Sequence, residues 1–329
     1  MNIENKSKIL PGFSLSVLFG GLIWFGSHYV IRIDPLLVAI VFGMIIRTLI
    51  GERRLLVPGL EWSPKILITP GIILYGANLS FNLDVVAPLI WLQIFVGVIV
   101  VVWLAKTFGN IFKLNRSLYL LLAVGTAICG ASAIMIAKPV VNSENKDTAT
   151  AVLVITIFGT AGMFLLIYLA NLMHMDPFHS ARMFATTLQQ TSFVKIAASP
   201  LGDPYLSLAM AIKVARTATI IPLLLVVGTL YHFPALVEAS ANKEPFKVNV
   251  PWYLWGFILC GAMFAFLPSL GFIADYVRLL SSIVWTMAMF SIGLTVDIRA
   301  AIKTIFKPLL VGLIAWIGIV LVFIYTYLN

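Results

Sequence analysis

The chain has 329 residues, 61% hydrophobic and only 11% charged, against about 25% charged in an ordinary soluble domain. At a mean hydropathy of +1.03 no water-soluble fold could hide its apolar surface, so lipid is the natural solvent. The net charge of +9 would suggest nucleic acid in a soluble protein; here the cations lie mainly in short loops, so topology explains them and no nucleic-acid partner is expected.

Along the chain, apolar runs of roughly 17–25 residues mark spanning helices. Eleven are expected, at about 11–31, 35–51, 64–80, 85–108, 117–141, 148–172, 182–198, 205–231, 250–268, 278–296 and 304–328. The first follows a polar stretch, Met1–Leu10, and lacks a small-residue cleavage site, so it reads as a span rather than a signal peptide. The longest hydrophilic connection, His232–Asn249, is too short to fold alone, so residues 1–329 read as one polytopic membrane domain. With the N-terminus and the loops after even-numbered helices on one side, that side carries fifteen cations and the other four, with Lys195, Lys213 and Arg216 left inside spans. The positive-inside rule then puts the N-terminus in the cytoplasm and the C-terminus outside.

Cys129 and Cys260 both sit in apolar segments, with no CxxC and no Cys/His cluster, so no metal or cofactor is expected. No HExxH, nucleophile elbow or P-loop occurs, which argues against an enzyme and against an ATP-driven pump.

The fifth segment has a centre of small, weakly polar residues: Gly125, Thr126, Cys129, Gly130, Ala131 and Ser132. Such a patch serves either close helix packing or a break, whose inward-facing half-helix N-terminus would form an anion site. In the seventh segment Gln189 and Gln190 sit in a polar run from Thr186 to Ser192, suited to a cavity, to bonds between helices or to a surface helix. In the eighth, Lys213 and Arg216 share a helix face at i, i+3. All thirteen acids fall in loops or at helix ends, so these cations have no buried counter-charge. Backbone carbonyls, an acid at a helix end or an anionic ligand must balance them, unless they snorkel to the surface. The tenth segment again carries small and hydroxyl residues, Ser291, Gly293 and Thr295. It lies five helices after the fifth, the spacing of an inverted five-helix repeat with two discontinuous helices.

Together these stretches resemble the YeiH-like sulfate exporter family over nearly the whole chain. Gly125-Thr-Ala-Ile-Cys129-Gly130-Ala-Ser132-Ala is the most specific match; Lys213-Val-Ala-Arg216 with Pro222, and Ala288 through Thr295, are similar to its cationic helix and its late short helix. The resemblance implies a bacterial inner-membrane protein similar in architecture to bile-acid symporters and sodium–proton antiporters, with two broken helices crossing at the substrate site. It implies alternating-access export of a small inorganic or sulfonate-type anion such as sulfate, and dimerisation is common in proteins of this shape. Many relatives have a His-Glu pair where this chain has Gln189-Gln190, so coupling through such a pair is in doubt. The expected site combines half-helix N-termini near Gly130–Ser132 and Gly293–Thr295, the hydroxyls of Thr126, Ser132 and Ser291, and the charges of Lys213 and Arg216. The alternative is a cation/proton antiporter of the same architecture, which would need an ionisable carboxylate at the site.

Overall fold

The structure is a computed structural model that describes residues 3–31, 33–78, 86–241 and 252–328. It is helical throughout, with no strand among the described residues. The helices are α1 (Ile3–Gly26), α2 (Pro35–Ile50), α3 (Val57–Tyr75), α4 (Pro88–Ile111), α5 (Arg116–Ala127), α6 (Ala131–Ala137), α7 (Asn145–Leu172), α8 (Pro177–Thr187), α9 (Thr191–Ala198), α10 (Tyr205–Ala218), α11 (Ile220–Ala241), α12 (Trp252–Phe266), α13 (Gly271–Gly293), α14 (Ile298–Thr304) and α15 (Phe306–Leu328). A π-turn, Ser27–Ile31, extends α1, and a 3-10 turn, Gly76–Asn78, extends α3. Six helical stretches are long and apolar enough to cross a membrane: Lys8–Val30, Pro88–Ile111, Asn145–Leu172, Tyr205–His232, Gly271–Leu294 and Phe306–Leu328. Of the charged residues counted above, Arg32, Asp84, Lys243, Glu244 and Lys247 lie outside the described residues.

Local chemistry sets the boundaries. Asp34 opens α2 by accepting from the Leu36 N–H at 2.8 Å, with Pro35 at the first helical position. Asp176 opens α8 by accepting from the Phe178 and His179 N–H groups at 2.9 and 3.1 Å. Asp297 does the same for α14, on Arg299 and Ala300. The third helix starts earlier than the apolar run suggests, at Val57, because Pro58 is tolerated in a first helical turn.

The chain divides into two compact units. Unit 1 holds Met1–Leu79, Glu144–Thr150 and Trp252–Phe306. Its centre is α13, which packs on α1, α2 and α3, while α12 packs on α3. Close approach is made by glycines. A methyl on Gly293 would lie 2.4 Å from the Ile40 carbonyl oxygen, and one on Gly43 2.7 Å from that of Phe290, so α2 and α13 touch backbone to backbone. One on Gly20 would meet the Met287 Cα at 2.5 Å. The hydroxyls of α13 bond to backbone: Ser281 Oγ donates to Gly71 O at 2.9 Å and Ser291 Oγ to Leu60 O at 2.8 Å. Leu60 O would be an orphan without that bond, because residue 64 of α3 is proline and has no N–H to give it.

The tenth segment is therefore not a discontinuous helix. α13 runs unbroken from Gly271 to Gly293, and its small residues serve packing. The Gly293–Thr295 stretch is a helix C-terminus, with Leu294 N–H bonded to Phe290 O, and not a half-helix N-terminus.

Unit 2 holds Ser80–Ser143, Ala151–Pro251 and Lys307–Asn329. Its framework is α4, α7 and α15. Arg182 ties Gln93 to Thr326, and Gly318 meets Val100 and Leu104, so α4 and α15 are antiparallel. Gly312 meets Val154 and Phe158 while Gly162 meets Trp316, so α7 runs parallel to α15. α4 and α7 thus run in opposite senses, and the segment between them must leave from the end at which it entered.

The contacts show that it does. At its start, Arg116 Nη1 donates to Tyr231 O at 3.3 Å; past its end, Val140 sits 3.3 Å from a methyl placed on Gly228, one turn away on α11. Between them the chain folds back at Ile128–Gly130, with Ile134 of α6 against Gly125 of α5. The seventh segment also breaks, at Leu188–Gln190. α8 enters from the Gln93–Thr326 end, and α9 leads back to the start of α10, which runs the other way towards Tyr231. Two of the eleven expected spans are therefore re-entrant hairpins from opposite ends of unit 2. The second break lies two segments after the first, not five.

Candidate substrate site

The two hairpin tips meet around α10. When a helix stops, its last carbonyls lose their intrahelical partners. The carbonyls so placed are those of Thr126 and Ala127 at the end of α5 with Ile128 just past it, and of Ala185 in the last turn of α8 with Leu188 and Gln189 just past it. Lys213 Nζ donates to Ile128 O at 2.8 Å, Leu188 O at 2.9 Å and Gln189 O at 2.5 Å. Arg216 donates through Nε to Ala127 O at 2.6 Å, through Nη2 to Thr126 O at 2.6 Å, and through Nη1 to Leu188 O at 2.8 Å and Ala185 O at 3.4 Å. Both side chains are about 1% exposed. A cation at a helix C-terminus also meets the negative end of the dipole, and here two cations brace two such termini. Of the balances open to these charges, the carbonyl one is what the geometry contains. An ammonium has three donors, so Lys213 has none left for a ligand in this conformation.

The tips touch directly as well. Gly130, at φ +73°, turns the chain between α5 and α6, a region that a side chain disfavours. A methyl there would also lie 2.8 Å from Gln190 Cγ. Gly130 N–H closes the end of α5 by bonding to Gly125 O at 3.0 Å.

Nine of the twelve sequence-predicted residues lie in unit 2: Thr126, Cys129, Gly130, Ala131, Ser132, Gln189, Gln190, Lys213 and Arg216. Ser291, Gly293 and Thr295 belong to unit 1. Ser291 is taken by Leu60 O and Gly293 by the contact with α2, while Thr295 Oγ1 donates to Ile292 O at 2.7 Å and borders a cavity of about 390 Å³ lined by Phe19, Leu60 and Phe290, with Arg47 and Arg53.

Beside the brace, polar atoms stand buried without a partner: Thr126 Oγ1, both ends of the Gln189 amide, and Gln190 Oε1. Such atoms cost about 1–3 kcal/mol each unless something answers them. Gln190 Nε2 is bonded to Thr156 Oγ1 at 3.4 Å, a partner in α7 that no motif or spacing singles out. Ser132 is half-buried, and Thr191 and Ser192 at the start of α9 are exposed, so the cluster has a polar border.

A family model described as conserved hypothetical protein 698 matches residues 11–312. The chain belongs to this family, whose curated members are UPF0324 membrane proteins. This UPF0324 chain is 31% identical to a UPF0324 membrane protein of Oceanobacillus iheyensis over 87% of its length and 84% of the relative's. It is 29% identical to one from Bacillus cereus over 92% and 91% of the two chains, and 28% identical to one from Staphylococcus epidermidis over 85% and 83%. These names specify a membrane protein and no substrate. No solved structure matches.

Proposed function

We propose that this UPF0324 chain is a secondary transporter that exports a small oxyanion, of the sulfate or sulfonate type, by alternating access. The observation that carries the reading is the meeting of two re-entrant hairpins from opposite ends of one unit at a buried cluster of unpartnered amide groups and one unpartnered hydroxyl, that of Thr126. Past each tip a new helix begins, so its first N–H groups and positive dipole end are available to an anion. No carboxylate stands among the named cluster residues. Lys213 and Arg216 supply a net positive field while holding the tips in place, rather than gripping the anion themselves.

In this reading the end of unit 2 that carries Lys106, Lys113, Arg116 and Lys138 faces the cytoplasm, which leaves the end of α15 outside. With two hairpins that do not cross, the chain crosses nine times if the other segments span, and the odd number keeps the N-terminus inside. Because the chain is a membrane protein by composition and family, flux is the direct assay. Labelled small anions, sulfate and a sulfonate among those tested, should show flux across proteoliposomes holding the folded protein; no flux of any small anion would sink the proposal.

The antiporter alternative keeps one supporting observation. The carbonyls that cage Lys213 Nζ are cation ligands, so a sodium ion or a second proton site could compete with the ammonium. Exchange driven by a sodium or pH gradient in the absence of any permeant anion would select it.

A further inference from the structure

The hydrogen-bond network at Gln190 fixes which way its amide faces. Thr156 Oγ1 donates its only proton to Val152 O at 2.8 Å, so towards Gln190 it can only accept. The nitrogen end of the Gln190 amide must therefore point at Thr156, and the oxygen end is the one left over. That oxygen is buried and unpartnered on a residue only 2% exposed. Gln190 is also the residue from which α9 starts, and its side chain lies against Gly130 at the other tip. The neighbouring open groups do not have this fixed polarity. Gln189 has both amide ends unpartnered and can present either, and the Thr126 hydroxyl can donate or accept.

The site thus offers donors, from the first turn of α9, beside one acceptor locked in place. A bare oxyanion answers the donors and leaves the acceptor unmatched. We infer that the substrate is an anion that carries its own hydrogen-bond donor, a protonated oxyanion or an amino-sulfonate, and that Gln190 held by Thr156 is the residue that selects it. This rests on the anion-transport reading above and narrows it. A site built to bond a substrate O–H or N–H rejects the analogue without one, because its own polar group then stays buried and unpaired.

Hydrogenphosphate and sulfate at pH 8 make the decisive pair, since both are tetrahedral dianions of similar size and only the first carries an O–H. Binding to the purified full chain is read from ligand-dependent thermal stabilisation, which follows affinity by mass action. Hydrogenphosphate should bind about tenfold or more tightly than sulfate. A second pair, 2-aminoethanesulfonate against ethanesulfonate, tells whether an N–H serves in place of the O–H; preference within either pair supports the inference. Thr156→Val frees the amide to turn, so the preference should collapse or reverse. Thr156→Ser keeps the hydroxyl and should keep the preference. Sulfate and ethanesulfonate binding as well as their partners in the wild type would overturn the donor requirement while leaving anion transport intact. Silence from all four anions would instead overturn the anion reading on which it rests.

Discussion

The fifth and tenth segments look alike in sequence and end up unlike in structure. Each gathers glycine and hydroxyl residues where a span should be apolar. In the tenth, α13 stays whole: Gly293 lets α2 approach, and Ser281 and Ser291 donate to carbonyls of α3. In the fifth, the helix stops at Ala127, reverses through Gly130 and returns as α6. The difference lies in what is available to take the carbonyls that a break sets free. Unit 2 has Lys213 and Arg216 on α10, whose donors reach three carbonyls at or just past the end of α5 and three at or just past the end of α8. Around the centre of α13 no such cation is found among the described residues; Arg278, nearer its start, bonds Ala77 O and Asp275. Small residues permit a membrane helix to break, and a buried donor makes the break tolerable.

Removing the donors is the strongest way to break this comparison. Because the two cations share Leu188 O, Lys213→Met leaves two carbonyls unanswered, those of Ile128 and Gln189, and Arg216→Met leaves three, those of Thr126, Ala127 and Ala185. At about 1–3 kcal/mol for each orphaned group, both variants should lose ~2 kcal/mol or more, with Arg216→Met the worse. Thermal unfolding in detergent reads this directly. A variant that keeps the wild-type midpoint but no longer binds anions would show that the cations serve the ligand and not the fold.

Two glycines give the next effect and separate the regions by kind. Gly130→Ala puts a side chain at φ +73° and into Gln190, so it should cost about 1–2 kcal/mol of backbone strain and also weaken anion binding. Gly293→Ala meets the Ile40 carbonyl oxygen at 2.4 Å, a backbone atom that cannot swing aside. It should cost about 1–3 kcal/mol through overpacking and leave anion affinity unchanged in whatever protein folds. Equal loss of binding in both would erase the distinction between the segments.

How much of this was legible beforehand follows from the same physics. Long apolar runs register in composition, so the helical membrane class and most helix positions could be read directly. The first break was legible because Gly125, Cys129, Gly130 and Ser132 cluster within one short stretch. The reversal was not, since hydropathy measures how apolar a run is and not whether it turns back. Nor was the second break, where Thr186 through Ser192 looked like a polar lining; its signal was the run of amides beside a segment too short to span with ease. The role of Lys213 and Arg216 depends on carbonyls of residues 126–128 and 185–189, atoms that every residue has and no side-chain pattern marks. Thr156 was invisible for a related reason: a lone threonine in a long apolar helix usually bonds its own backbone, and this one does so while also holding Gln190.

The smallest effect tests whether the hydroxyls of α13 are structural. Ser291 Oγ answers Leu60 O, which Pro64 leaves without an intrahelical partner. Ser291→Ala should therefore cost about 1 kcal/mol with no change in anion affinity. Pro64→Ala restores an N–H to residue 64 and lets α3 satisfy Leu60 O itself. In that background Ser291→Ala should cost measurably less, and the shortfall from additivity is the energy of the one bond that the serine makes for the proline. Strict additivity would mean that Ser291 is not there for Leu60 O. Loss of anion binding in the single variant would return Ser291 to the substrate site, and with it the possibility that α13, unbroken as it is, shares in transport.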